Sequence, residues 1–340
     1  MKTKFDSYSL NGIPKGCKLC LKGKKGVLFI TGLCSRNCEY CPLSNKRKNK
    51  NKIYFNEREI NSFKDLMEEL KLSNVESCSI TGGDPLINLK RTLGFAKFLK
   101  QKSGKRFHIH IYLSTKLVNK NNLSKLSKFI DEVRFHPDLN KNSEEEIKKI
   151  SLASKFWDKK NIGIELPCFP DKKQKILKFI LRISSNISFV NLNELELGES
   201  NEKFILKNYK LNEEGYTTYN SINAGIWILN ELRKQRTKLK IHLCTAKTKN
   251  WHQYKNRLKR YQKIPFSKKT NEGTLIYFFV KPNKNLNKIL SKKDFFFDKF
   301  KKRLIINPVK LNFILKKVAI WKAEEYPTFD REEVLLEKLN

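Results

Sequence analysis

Val27-Leu28-Phe29-Ile30-Thr31-Gly32-Leu33-Cys34-Ser35-Arg36-Asn37-Cys38-Glu39-Tyr40-Cys41 is an apolar run that breaks at a glycine into a loop bearing three thiols. The run predicts a strand over about Val27–Thr31, with the cysteine loop leaving its C-terminal end. Iron–sulfur clusters are normally held by four Cys thiolates. Three leave one iron with an open position where a substrate or cofactor can bind. The spacing taken alone also fits a zinc loop lacking one ligand. About one βα unit later, Thr81-Gly82-Gly83-Asp84-Pro85-Leu86 fits a cofactor-binding turn at the next strand end.

Outward from these motifs the pattern alternates. Strands are expected at Val75–Thr81, Phe107–Ser114, Val133–His136, Ile162–Leu166, Ile187–Asn193 and Leu239–Leu243. Helices are expected near 57–72, from Leu89 to Gly104, at Leu123–Ile130, Glu144–Trp157 and Gln174–Ile183, and around 221–237 and 248–263. Such alternation implies parallel βαβ units, here an α/β full or partial (βα) barrel with function at the C-terminal strand ends. The expected organisation is a Cys-containing segment over 1–25, a barrel core over 26–265, and a small C-terminal α+β or β module over 268–340. In that module Gly273–Val280, Arg303–Ile306 and Leu311–Trp321 look strand-like.

Side chains alternate across a strand. On the third strand Phe107, Ile109, Ile111 and Leu113 share the face expected to meet helices, which turns His108, His110, Tyr112 and Ser114 inward. The same reasoning turns Arg134, His136, Glu165, Asn191 and Asn193 inward. Barrel cores are usually filled by Val, Ile and Leu, and burying unpaired polar groups is costly. As a set these residues imply a polar cavity, with His110, Tyr112 and His136 as candidate catalytic groups.

Charge is the unusual bulk property: 71 Lys and Arg against 34 Asp and Glu, a net +37 over 340 residues. Such a field attracts polyanions, RNA among them. No run of about 18 apolar residues suggests a membrane span, and MKTKFDSYSL lacks the apolar core of a secretory signal, so a cytoplasmic protein is expected. Eight cysteines then read as ligands or buried thiols rather than disulfides.

Cys17-x2-Cys20 has the spacing of half a metal site. His242-Leu-Cys244 on a later strand could supply the other half, for zinc or an auxiliary iron–sulfur centre; the alternative is a pair of thiols in a flexible tail. Cys168, just past the fifth strand, is either a hydrogen-atom relay or a small apolar residue, and Cys78 reads as core. Trp251, Tyr254, Leu258 and Tyr261 share helical spacing and read as a packing face beside a basic one.

Cys34-x3-Cys38-x-Tyr40-Cys41 followed by Gly82-Gly83-Asp84-Pro85 resembles the radical S-adenosylmethionine (SAM) superfamily. The run Gly16–Glu57 and the late Glu324-Glu325-Tyr326-Pro327-Thr328 resemble, more narrowly, a mainly archaeal group related to pyruvate formate-lyase activating enzyme. The resemblance implies a barrel of the radical SAM type, a 4Fe–4S cluster on Cys34, Cys38 and Cys41, and SAM on its open iron. It also implies reductive cleavage to a 5′-deoxyadenosyl radical that abstracts hydrogen from a substrate. Tyr40 matches the position near the adenine. Gly82, Gly83, Asp84 and Pro85 match the turn that receives the SAM amino group, with Asp84 where the family has Glu. Ser114, Thr115 and Glu165 occupy positions suited to ribose and carboxylate contacts. An electron donor such as ferredoxin or flavodoxin is implied, and the substrate is a protein, an RNA or a metabolite. The competing reading is a non-catalytic, metal-stabilised, basic RNA-binding protein.

Overall fold

The structure is a computed structural model that describes residues 1–282, 290–315 and 317–340. Ten strands build one sheet: β1 (Tyr8–Leu10), β2 (Lys25–Phe29), β3 (Tyr54–Phe55), β4 (Arg58–Glu59), β5 (Ser77–Thr81), β6 (His108–Ser114), β7 (Glu132–His136), β8 (Ile162–Pro167), β9 (Phe189–Asn193) and β10 (Lys240–Cys244). Their order is β1-β10-β9-β8-β7-β6-β5-β2-β3-β4. From β10 through β2 every pairing is parallel. An antiparallel β1 flanks one side and the β3–β4 hairpin the other. The helices of the main domain are α1 (Lys15–Leu21), α2 (Phe63–Ser73), α3 (Leu89–Ser103), α4 (Lys120–Ser127), α5 (Ser143–Ser151), α6 (Lys173–Ile183), α7 (Glu202–Asn208), α8 (Ser221–Lys234) and α9 (Lys255–Arg260).

One short helix reveals the curvature. α1 packs against β2, β5 and β6, while its Cys17 reaches Arg134 on β7 and Asn191 on β9. Five strand spacings separate β2 from β9, about 24 Å across a flat sheet, yet seven helical residues span only about 10 Å. The sheet must therefore curl around α1, as a partial barrel whose outer strands β1 and β4 do not pair with each other among the described residues. Helices cover the other face, where Ile109, Ile111 and Leu113 of β6 and Val133 and Phe135 of β7 join a fully buried core. Cys78 lies in that core as expected.

Several local expectations need correction. The expected helix over 57–72 begins only at Phe63, because Ser62 caps it: its hydroxyl accepts from Asp65 N while the Asp65 carboxylate accepts from Ser62 N. The residues before it form the β3–β4 hairpin. Residues 1–25 are not a separate tail, since β1 joins the main sheet and α1 lies within its curve. Before α9, a π-helical stretch over Thr248–Tyr254 breaks the 3.6-residue period. Leu258 and Tyr261 are buried, whereas Trp251 is turned out to solvent.

The C-terminal module is a second, antiparallel sheet of β11 (Lys268–Lys269), β12 (Leu275–Val280), β13 (Phe295–Asp298), β14 (Arg303–Ile306), β15 (Trp321–Glu325) and β16 (Glu333–Lys338). The expected strand over Leu311–Trp321 is instead the helix α10 (Leu311–Leu315), with β15 starting at Trp321. Part of the Lys-rich connector before β13 falls outside the described residues. Glu325 is fully buried between Arg303 and Arg331, and Arg58 of the hairpin stacks on Phe329 at 4.0 Å, joining module to barrel.

Candidate active site at the barrel rim

Parallel strands place all their C-terminal ends on one rim. The loops after β2 and β5 and the last residues of β6 to β9 meet there around a cavity of about 350 Å³. Cys34, Cys38 and Cys41 all line it, with Tyr40, Gly82, Gly83, Tyr112, Ser114, His136, Glu165 and Asn193. All three thiols are free, Cys34 exposed and the other two half-buried.

The cysteine loop is held mainly by backbone groups and short side chains. The Gly82–Asp84 turn runs alongside it, with Gly83 N donating to Thr31 O at 2.7 Å and Asp84 N to Leu33 O at 2.9 Å. A Cβ on Gly83 would lie 2.2 Å from Leu33 O, so only glycine permits this approach. From the far side Ser200 Oγ donates to Cys41 O at 2.7 Å and Asn201 Nδ2 to Tyr40 O at 3.0 Å.

Asp84 accounts for its own shortness relative to glutamate. Its Oδ2 accepts from Ser35 Oγ and from Ser114 Oγ, both at 2.6 Å, and its Oδ1 from Leu86 N at 3.0 Å. The carboxylate is fully buried and ties the cysteine loop to the end of β6. Neither Asp84 nor Pro85 faces the cavity; in this turn the glycines do.

Two further expectations change. Thr115 does not line the cavity; it is buried and donates to Glu146, while Arg36 donates to Thr115 and, at 2.6 Å, to His136 O. Cys168 is fully buried, and its sulfur faces α8, 3.1 Å from where a Cβ on Gly225 would stand. It is core, so a relay role loses its geometry. Arg36 and Glu146 were missed because their pairing spans 110 residues and no local pattern marks it.

Below the rim a ladder of charges continues inward. Arg134 is fully enclosed; its Nη1 reaches Glu165 Oε2 at 3.2 Å and its Nε donates to Glu132 Oε1 at 2.7 Å. Burial would raise the Glu165 carboxyl, but Arg134 and His136 more than offset it and hold it below its ordinary range. Burial pushes the His136 imidazole down, so it is neutral near pH 7. The same effect takes His242 down to about 4 and His110 well below its usual value. His110 lies beneath the cavity rather than in its lining, so its candidate catalytic role loses contact with the site.

The proposed second metal set meets only loosely. Cys17 and His242 both turn to Asn191 Oδ1, at 3.4 and 2.8 Å. Cys20 and Cys244 approach opposite ends of the Gln253 carboxamide, at 2.9 and 3.3 Å. A carboxamide stands between the members of each pair.

The rim residues fit the group the motif implies. Three soft thiol donors on one cavity wall suit an iron–sulfur cluster, with the glycine turn and Tyr40 beside them.

Comparison with known proteins agrees. The family model "Radical SAM superfamily" matches residues 28–160. The chain is 33% identical over 361 aligned residues, covering 97% of this chain and 94% of the relative, to the "Putative glycyl-radical enzyme activating enzyme MJ0021" of Methanocaldococcus jannaschii. Among solved structures, the radical SAM methyltransferase TsrM of Kitasatospora setae, with tryptophan and a SAM analogue bound, aligns with a TM-score of 0.37 and 12% identity over 55% of this chain and 39% of that one. The same protein with cobalamin and a 4Fe–4S cluster aligns with a TM-score of 0.35 and 12% identity, over 51% and 37%. On the identity shared with its archaeal relative along almost its whole length, this chain belongs to the radical SAM superfamily, as an enzyme that uses a 4Fe–4S cluster and SAM.

Proposed function

We propose that the enzyme activates a protein substrate by abstracting a hydrogen atom from an exposed loop of that partner. Cluster and SAM, when bound, supply the 5′-deoxyadenosyl radical. Cys34, Cys38 and Cys41 would hold the cluster, Gly82 and Gly83 would offer backbone to the SAM amino group, and Tyr40 would flank the adenine. Ser114 and Glu165 would meet its polar groups. Neutral His136 and half-buried Tyr112 would bound the reacting end and exclude water.

The observation that carries the protein reading is the approach to the site. Outside the cavity, and sharing Cys34, Arg36, Cys38 and Tyr40 with it, lies a wider vestibule of about 640 Å³ between the cysteine loop and the loop after β7. Lys116, Lys141, Lys149 and Lys172 line it together with Glu39, Asp138, Glu145 and Glu146, Lys149 pairing with Glu145 at 3.0 Å. A polar mouth of this size, carrying both signs of charge, suits a peptide loop, and the name of the archaeal relative points to a protein partner. The net charge of +37 would also draw an acidic electron donor of the ferredoxin or flavodoxin kind. Eight free thiols suit work in a reducing cytoplasm, and no helix among the described residues is long and apolar enough to cross a membrane.

The test is anaerobic incubation of cluster-reconstituted enzyme with SAM, a reductant and fractionated cell extract, following 5′-deoxyadenosine. The expected result is stimulation by a protein fraction that protease abolishes, with a protein-based radical visible by electron paramagnetic resonance. Stimulation that survives protease but not ribonuclease, or that resides in the small-molecule fraction, overturns the protein reading. No 5′-deoxyadenosine under any condition overturns the assigned cofactor contacts as well.

A further inference from the structure

At the opposite end of β6 from the rim, the inner face carries a second constellation. His108 and His110 are two residues apart and so share one face, and Glu132 stands opposite His110 in the β6–β7 register. A donor atom from each lies within 4.8 Å of the other two. Their exposures are 3%, 0% and 2%. None of the four imidazole nitrogens has a hydrogen-bond partner among the described residues. The nearest carboxylate approaches to His108 are 3.7 Å, from Glu132 Oε2, and 4.0 Å, from Asp131, too long for hydrogen bonds. Buried polar groups are nearly always satisfied by protein, water or an ion, and two adjacent imidazoles with no partner form a donor set awaiting one.

The carboxylate is already aimed. Arg134 Nε fixes Glu132 Oε1 at 2.7 Å, leaving Oε2 toward His108 with only a long contact of 3.3 Å from Gly16 N. Gly16 of α1 closes the site from within: a Cβ there would lie 2.9 Å from both His110 Nδ1 and Glu132 Oε1.

We propose that His108, His110 and Glu132 bind a divalent transition-metal ion, best matched by Zn²⁺, which clamps β6 to β7 under α1. Two imidazoles and one carboxylate are a common zinc set, whereas Mg²⁺ and Ca²⁺ favour all-oxygen shells. Tetrahedral bonds of about 2.1 Å put donors about 3.4 Å apart, so small side-chain rotations gather the three. Six residues of strand, about 20 Å, separate His108 from Ser114 at the rim. The ion is therefore structural and independent of the radical chemistry.

The test uses the full-length chain with C34A, C38A and C41A, which removes the cluster ligands. After exposure to Zn²⁺ and desalting, elemental analysis should find one zinc per chain. His108→Asn with His110→Asn should reduce it at least tenfold, and C17S with C20S should leave it unchanged. With Co²⁺ in place of zinc, weak visible bands without a near-ultraviolet thiolate charge-transfer band are expected. Absence of zinc from the cluster-free chain overturns the proposal, as does zinc that persists in the double histidine variant. A thiolate band abolished by C17S with C20S would place the ion on Cys17 and Cys20 instead, and also overturns it. If the double variant does not fold, Glu132→Gln decides: zinc affinity weakened at least tenfold supports the site, and unchanged affinity refutes it.

Discussion

Rim and floor of this barrel are built from the same strands and are both polar, yet they differ in how their polar groups are satisfied. At the rim, Tyr112, His136 and Glu165 at the strand ends line an open cavity beside a cysteine loop held by backbone hydrogen bonds. At the floor, Arg134 and Glu132 are sealed beneath α1 and bond to each other, with Arg134 also reaching Cys17 of that helix. The contrast teaches that an inward-facing polar residue predicts chemistry only near the strand end where loops can admit a ligand. Elsewhere the same residue is a matter of stability.

The comparison can be broken most severely at the rim. Cys38→Ala should abolish cluster-dependent 5′-deoxyadenosine formation while leaving the far-ultraviolet circular dichroism and the melting temperature of the apoprotein within error. A large loss of fold would mean that rim and floor are not separable. The complementary change is Arg134→Met at the floor. Removing one partner of a buried charge set costs about 3–5 kcal/mol, so a marked fall in melting temperature is expected. A stable, fully active R134M would show that the floor charges are dispensable.

A third site, away from both, calibrates the effect of burial. Glu69 of α2 accepts from the Tyr261 hydroxyl at 2.8 Å and from Asn56 at 3.3 Å. Burial, opposed by these hydrogen bonds, pushes its carboxyl up to about 7 from an ordinary 4.5. The folded state therefore binds the proton more tightly than the unfolded one. Its contribution is full below about pH 4.5 and is lost as pH rises through about 7. Relative to Glu69→Gln, the wild type should lose on the order of 2 kcal/mol between pH 5 and 8, read as diverging melting temperatures. Parallel curves would refute the assignment.

The smallest expected effect concerns loop position. Asp84→Asn keeps the shape but weakens the acceptor that holds Ser35 and Ser114. Because misplacement of about 1 Å costs roughly a hundredfold in a reactive geometry, a partial shift should slow SAM cleavage about tenfold with unchanged cluster content. Unchanged cleavage would show that the backbone contacts suffice to hold the loop.

What was legible in the chain follows the same division. Alternation on Phe107–Ser114 gave the inner face of β6 correctly, because a strand's period is local. The cysteine loop and the Gly82–Gly83 turn were legible because short-range spacing encodes them. Glu132 escaped because the strand was begun one residue late, at Val133. α1 escaped because seven residues with no side-chain cap carry no period of their own and fold by tertiary packing. Gly16 lets a helix backbone lie against Glu132, Arg134 and His110, all more than 90 residues distant in sequence. Cys168 misled because its strand end pointed to the rim while its side chain turned to α8.

The helix that stoppers the floor has a kinetic consequence. With α1 closing the floor, cofactor and partner share the rim as their approach. A ligand held against Gly82 and Gly83 would then have to arrive before a partner of the kind proposed covered the vestibule, and spent cofactor would leave only after that partner let go. The partner's own dissociation would then set the pace of turnover, and excess partner would slow the enzyme by corking it.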